Sequence, residues 1–100
     1  MLRGDFFEAR LCDSQLSYEF VPKQSLKLPL FTLGRELKDA GLYVEINTPF
    51  IVQVKLQDTK ISLYPSGKVF VKHVSEKKQA QTLFRRMVKA LNACPAMAKI

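Results

Sequence analysis

The chain has no tryptophan, one histidine and two cysteines, and its 9 carboxylates are outnumbered by 16 lysines and arginines. It also lacks any apolar run of the roughly 20 residues that a membrane-spanning helix needs. The opening, Met1-Leu2-Arg3-Gly4-Asp5, has no apolar segment behind a basic start, so it does not read as a signal peptide. These absences point to a cytoplasmic protein. Cys12 and Cys94 lie far apart. In a domain with an adequate core they are expected as buried thiols rather than as a bridge. A zinc site takes about four closely spaced ligands. Cys12, Cys94 and His73 do not supply one.

Catalytic patterns are missing too. Asp5, Glu8, Asp13, Glu19, Glu36, Asp39, Glu45, Asp58 and Glu76 are scattered and form no metal or acid/base cluster. His73 closes a strand-like run on its inward parity, which suits edge or core packing. No nucleophile motif and no phosphate-binding glycine loop occurs. The expectation is a protein that is not an enzyme, with no cofactor, metal or small-molecule substrate.

What is present is one domain, residues 1–100. With 47% hydrophobic and 25% charged residues it can bury a core. The net charge of +7 serves solubility or attracts a polyanion. Placement of the charges has to decide between the two.

Residues 6–12 and 15–21 read as two short strands or one bent strand, with Asp13-Ser14 as turn chemistry. Residues 29–40 read as a helix with Pro29 at its first position, Leu30, Leu33 and Leu37 on one stripe, and Gly41 just past its end. Gly34 weakens that helix by about 1 kcal/mol. Strands follow at 42–46, 50–57, 60–64 and 68–73. Asn47-Thr48-Pro49 parts the first two or kinks a continuous strand. Asp58-Thr59 and Pro65-Ser66-Gly67 make tight connections, the second with Gly free to take a positive φ. Residues 76–92 carry the strongest helical pattern, with Ser75 as N-cap and Ala80, Leu83, Phe84, Met87, Val88 and Leu91 on one stripe. Lys77, Lys78, Arg85, Arg86 and Lys89 lie largely off that stripe and read as a solvated face. Strands flanked by two helices indicate an α+β fold, an antiparallel sheet with both helices packed on one face.

Alternation then assigns the strand residues to faces. Val52, Val54, Leu56, Ile61, Leu63, Val69 and Val71 form an aliphatic set for the helices to cover. The opposite set is Ile51, Gln53, Lys55, Gln57, Lys60, Ser62, Tyr64, Lys68, Phe70 and Lys72. No carboxylate falls in it. Lysines suit phosphates, Gln and Ser suit sugars or base edges, and the aromatics suit sugar or base faces.

The run Ile61-Ser62-Leu63-Tyr64-Pro65-Ser66-Gly67-Lys68-Val69-Phe70-Val71, with the helix opening Ser75-Glu76-Lys77-Lys78, resembles one repeat of the TATA-binding protein family. It is similar as well to the N-terminal domain of bacterial type III ribonuclease H, a single such repeat. The likeness extends in element order over about residues 25–92. It implies a curved, saddle-like sheet that grips a duplex on its concave face, with two helices behind. By position, Ser66, Gly67 and Lys68 become a substrate-side hairpin, Tyr64 falls where the family carries a Phe wedge, and Phe70 and Lys72 face the nucleic acid. The chain departs from the family in holding one repeat, so a full saddle would require a dimer. The groove-reading Asn of the family's first strand has no counterpart. Either Phe50, by family likeness, or Ile51, by alternation, partners the wedge. Shape and backbone recognition of duplex DNA or RNA–DNA hybrid is therefore expected, rather than TATA reading. The competing expectation is a protein-interaction or homodimerisation module that uses the same face or an edge strand.

Overall fold

The computed structural model describes residues 2–12, 17–74 and 76–99, without the side chains of Cys12 and Lys99. The turn expected at Asp13-Ser14 and the cap expected at Ser75 lie outside the described residues. The elements run β1 (Phe7–Cys12), β2 (Ser17–Pro22), α1 (Leu30–Asp39), β3 (Tyr43–Asn47), β4 (Val52–Leu56), β5 (Thr59–Leu63), β6 (Val69–Val71) and α2 (Lys77–Asn92). Short 3-10 turns cover Gly4–Phe6 and Pro95–Lys99. The strands form one six-stranded antiparallel open sheet in the order β1-β2-β6-β5-β4-β3. The fold is α+β.

Alternation placed the aliphatic set correctly. Val52 pairs with Leu63, Val54 with Ile61, Ile61 with Val71 and Leu63 with Val69. All six side chains are fully buried. Tyr18 and Phe20 of β2 continue the same face opposite Val71 and Val69. From α1 come Leu30, Leu33 and Leu37, and from α2 come Ala80, Leu83, Phe84, Met87, Val88 and Leu91, all in the same core. Both amphipathic stripes thus cover one sheet face, which is how a helix buries an apolar stripe. Phe84 anchors α2. Its ring stacks on Phe20 at 4.2 Å between centroids and meets Phe7 edge-on at 4.9 Å. Asn92 holds the start of the chain, donating to the Leu2 carbonyl and accepting from the Leu2 amide, each at 2.8 Å.

Several boundaries differ from the expectation. Pro29 is the cap of α1 rather than its first residue, and Glu76 is the cap of α2. Strand β6 is short, because His73 takes a left-handed backbone (φ 59°) just beyond it. His73 is exposed and is not a core or inward residue. The β4–β5 turn is Gln57-Asp58, not Asp58-Thr59, with Gln57 at φ 54° in place of the usual Gly. Gly41 (φ 98°) and Gly67 (φ 96°) fill the two positive-φ positions that were expected of them.

Gly34 has a reason that helix propensity hides. The Asn47 side chain of β3 lies against it and donates to the Phe31 carbonyl at 3.2 Å. A Cβ on residue 34 would collide with Asn47 Oδ1. Gly34→Ala is therefore expected to destabilise by about 1–2 kcal/mol, because overpacking and the broken hydrogen bond outweigh the helix gain. In an Asn47→Ala background the same change should stabilise by up to about 1 kcal/mol. Urea denaturation of the four-member cycle checks this; equal effects in both backgrounds would remove the close contact as the reason for the glycine.

Candidate nucleic-acid interface

Among the described residues both helices pack on one face of the sheet. Register arranges the centre of the other face as three transverse rows. Gln53 pairs with Ser62, and Ser62 with Phe70. Lys55 pairs with Lys60, and the Lys72 amide donates to the Lys60 carbonyl at 3.0 Å, so the second row is Lys55, Lys60 and Lys72. One step beyond the Val52–Leu63 pair stands the third row, Ile51, Tyr64 and Lys68, in which the Tyr64 amide donates to the Lys68 carbonyl at 3.0 Å. Nine of the expected site residues are thus brought together.

The middle row is a floor. Gln53 is 8% exposed and Ser62 is fully buried, although both point away from the helices. Phe70 is half-buried beside them. Ser62 Oγ has no hydrogen-bond partner among the described residues.

Three expected residues are not on the grid. Gln57 is in the turn after β4. Ser66 and Gly67 form the β5–β6 hairpin, and the segment after β2 packs on that hairpin. The Leu26 amide donates to the Ser66 carbonyl at 2.8 Å, and the Leu28 amide to the Pro65 carbonyl at 2.9 Å. Gly67 is buried, and a Cβ there would come within 2.9 Å of Leu26 Cδ1. Its role in this geometry is packing and the positive φ. Ile51, not Phe50, takes the face position, and its amide donates to Thr48 Oγ1 at 3.0 Å. Phe50 stands at the tip of the β3–β4 turn, 77% exposed.

The flanking strands bring charges that alternation in β4, β5 and β6 could not show. Glu19 of β2 is opposite Phe70 and reaches Lys68 at 3.4 Å. Lys68 also sits over the Tyr64 ring, 4.8 Å from its centroid. Glu45 of β3 reaches Lys60 at 3.9 Å and accepts from Gln53 Nε2 at 3.5 Å. Glu45 has the same parity as Tyr43, which is opposite Lys55, and the register shift between Val44 and Ile46 falls just at it. Glu8 and Arg10 form a further pair on β1 at 3.6 Å. The face as a whole is therefore mixed in charge, not purely cationic. Only the Glu8–Arg10 pair is fully at the surface; Glu19 and Glu45 are 23% and 25% exposed, so the two lysines are held by partly covered carboxylates. Glu19 already showed the outward parity in the sequence. What was missing was that β2 lies beside β6.

Burial first, and the Glu36 carboxylate second, push the free, buried Cys94 thiol above its ordinary pKa, which keeps it protonated. Among the described residues no three His, Cys, Asp or Glu side chains group as metal ligands, and no helix is long and apolar enough to cross a membrane.

Ser62 gives a test of the floor. A buried hydroxyl without a partner costs about 1–3 kcal/mol. Ser62→Ala should leave stability unchanged or raise it by about 1 kcal/mol, read by thermal or urea denaturation. A clear loss would mean that the hydroxyl is structurally satisfied. Compared with known proteins, the chain matches no family model, no curated protein and no solved structure.

Proposed function

We propose that this protein is a nucleic-acid-binding module that grips duplex DNA or RNA–DNA hybrid on its open sheet face, through backbone and minor-groove contacts. The observation that carries the reading is the three-row face itself. Lys55, Lys60 and Lys72 line one side of a low polar floor, and Tyr64 and Lys68 line the other. Lysines on both sides of a floor made of Gln, Ser and Phe match the chemistry of a sugar–phosphate track with a base or sugar edge between. A helix, a meander β3-β4-β5-β6 and a long helix also follow the element order of a single TATA-binding-protein-like repeat. In this reading the sheet is curved, the floor is its concave centre, and Tyr64 is the residue that presses on the duplex. The protein is not an enzyme, and it takes no cofactor.

A second reading has its own observation. Tyr43 (66% exposed) and Ile46 (37%) lie on β3, an edge strand, with Phe50 (77%) at the turn that follows. Exposed apolar side chains beside an unpaired strand edge suit a protein partner or a second copy.

A salt-titrated binding panel of double-stranded DNA, RNA–DNA hybrid, double-stranded RNA and single strands separates the two. For B-DNA, log K should fall linearly with log salt at about −0.9 per neutralised phosphate. Lys68→Ala with Lys72→Ala should flatten that slope by nearly two units, at about 0.9 for each phosphate no longer neutralised. Glu19→Gln should instead tighten binding a few-fold by freeing Lys68, on the scale of an exposed ion pair at about 0–1 kcal/mol. An unchanged slope in the double variant removes this site. A salt-indifferent dimer that ignores every nucleic acid favours the edge-strand reading.

A further inference from the structure

A further recess lies where the end of β4 meets α2, beside the sheet floor. It is a groove of about 700 Å³ between the C-terminal half of α2, the segment after α1 and the end of β4. Arg86, Lys89, Ala90 and Ala93 fall at i, i+3, i+4 and i+7, so α2 presents them as one bank. Leu42, Tyr43, Lys55 and Leu56 form the other bank. Leu42, Leu56 and Ala90 pack on the core but are only partly covered, which makes the floor apolar. Arg86, Lys89 and Lys55 are exposed at its rim. No carboxylate lines it among the described residues.

We propose that this groove docks an acidic amphipathic segment of a partner protein. Charge complementarity selects the occupant. A rim of three cations with no carboxylate favours an acidic ligand. An apolar floor favours one that also brings leucine- or phenylalanine-like side chains, as in a helix laid in a groove. A nucleic-acid backbone would use the cations but leave that floor wet. A second copy fits poorly, because the chain carries net charge +7 and its carboxylates are scattered. The groove shares only Lys55 with the three rows of the sheet face, so a partner seated there leaves Lys60, Lys68 and Lys72 free. Arg86 and Lys89 belong to the groove alone, whereas Lys55 is shared with the lysine row.

The test uses a fluorescein-labelled amphipathic helical peptide of about four turns, with leucine and phenylalanine on one face and glutamate on the other. Two comparison peptides replace the glutamates by lysine or the apolar face by alanine. Binding is followed by anisotropy and located by amide chemical shifts on the isotope-labelled full chain. The acidic amphipathic peptide should shift Leu42, Tyr43, Leu56, Ala90 and Ala93, and both comparison peptides should bind far more weakly. Arg86→Glu with Lys89→Glu should weaken binding by about tenfold or more, with amide dispersion retained because both side chains are exposed. Lys68→Ala with Lys72→Ala should leave peptide binding unchanged, which separates this site from the sheet face. The proposal is overturned if the peptide does not bind, if its shifts fall on the sheet face, if the charge reversal has no effect, or if a duplex rather than the peptide shifts the groove amides.

Discussion

The placement of every side chain on the open face depends on burial of the opposite one. Val52, Val54, Ile61, Leu63, Val69 and Val71 are fully buried under the two helices. A slip of one residue in any of these strands would move its valines or leucines into water and its lysines into the core. Fully burying one such side chain is worth about 1.5–3 kcal/mol. Two or three per strand exceed anything the outward residues gain from each other. The lysine row, the polar floor and the Tyr64–Lys68 pair are held where they are by contacts they do not themselves make.

Two local fits hold the helices to that face, one at each side of the sheet. On the β1–β2 side Phe84 is stacked on Phe20 and edge-on to Phe7. On the β3 side α1 comes so close that residue 34 has no room for a Cβ beside Asn47. The first fit adds area and ring geometry, and the second removes a side chain to gain proximity. Both lie on the helix-covered face. The β5–β6 hairpin is fixed by different means, through amide bonds from Leu26 and Leu28 and the buried Gly67. Its backbone is thereby tied to the segment after β2, and its side chains Tyr64 and Lys68 are left to the face.

Local periodicity made much of this legible. The stripes of α1 and α2 and the two faces of β4, β5 and β6 follow from spacing alone, because burial selects for them residue by residue. Gly41 and Gly67 were legible because the backbone there requires a positive φ. What spacing could not supply was which strands are neighbours. Glu19 and Glu45 enter the face from β2 and β3, through strand pairings that spacing within β4, β5 and β6 does not reveal. His73 broke the alternation for a related reason. Its left-handed backbone ends β6 before the strand pattern in the sequence does. The close approach at Gly34 was equally hidden, since only the docking of α1 on β3 reveals it.

The same pairings decide how the net charge of +7 acts. Ionic screening at physiological salt falls off over about 8 Å, and the shortest dimension of the chain is 21 Å. Arg86, Lys89 and the other cations on the outer side of α2 therefore add little to the potential at the sheet floor. There, Lys55, Lys60, Lys68, Lys72 and Arg10 stand against Glu8, Glu19 and Glu45. The local excess is small beside the total. A ligand of this face has to find affinity in contacts with the floor and in competing with Glu19 and Glu45 for their lysines, not in bulk attraction. The groove between α2 and the end of β4 shows the reverse balance: cations at the rim, apolar side chains beneath and, among the described residues, no carboxylate in its lining. One chain thus presents two surfaces of different electrostatic character, and the overall charge is a poor guide to either.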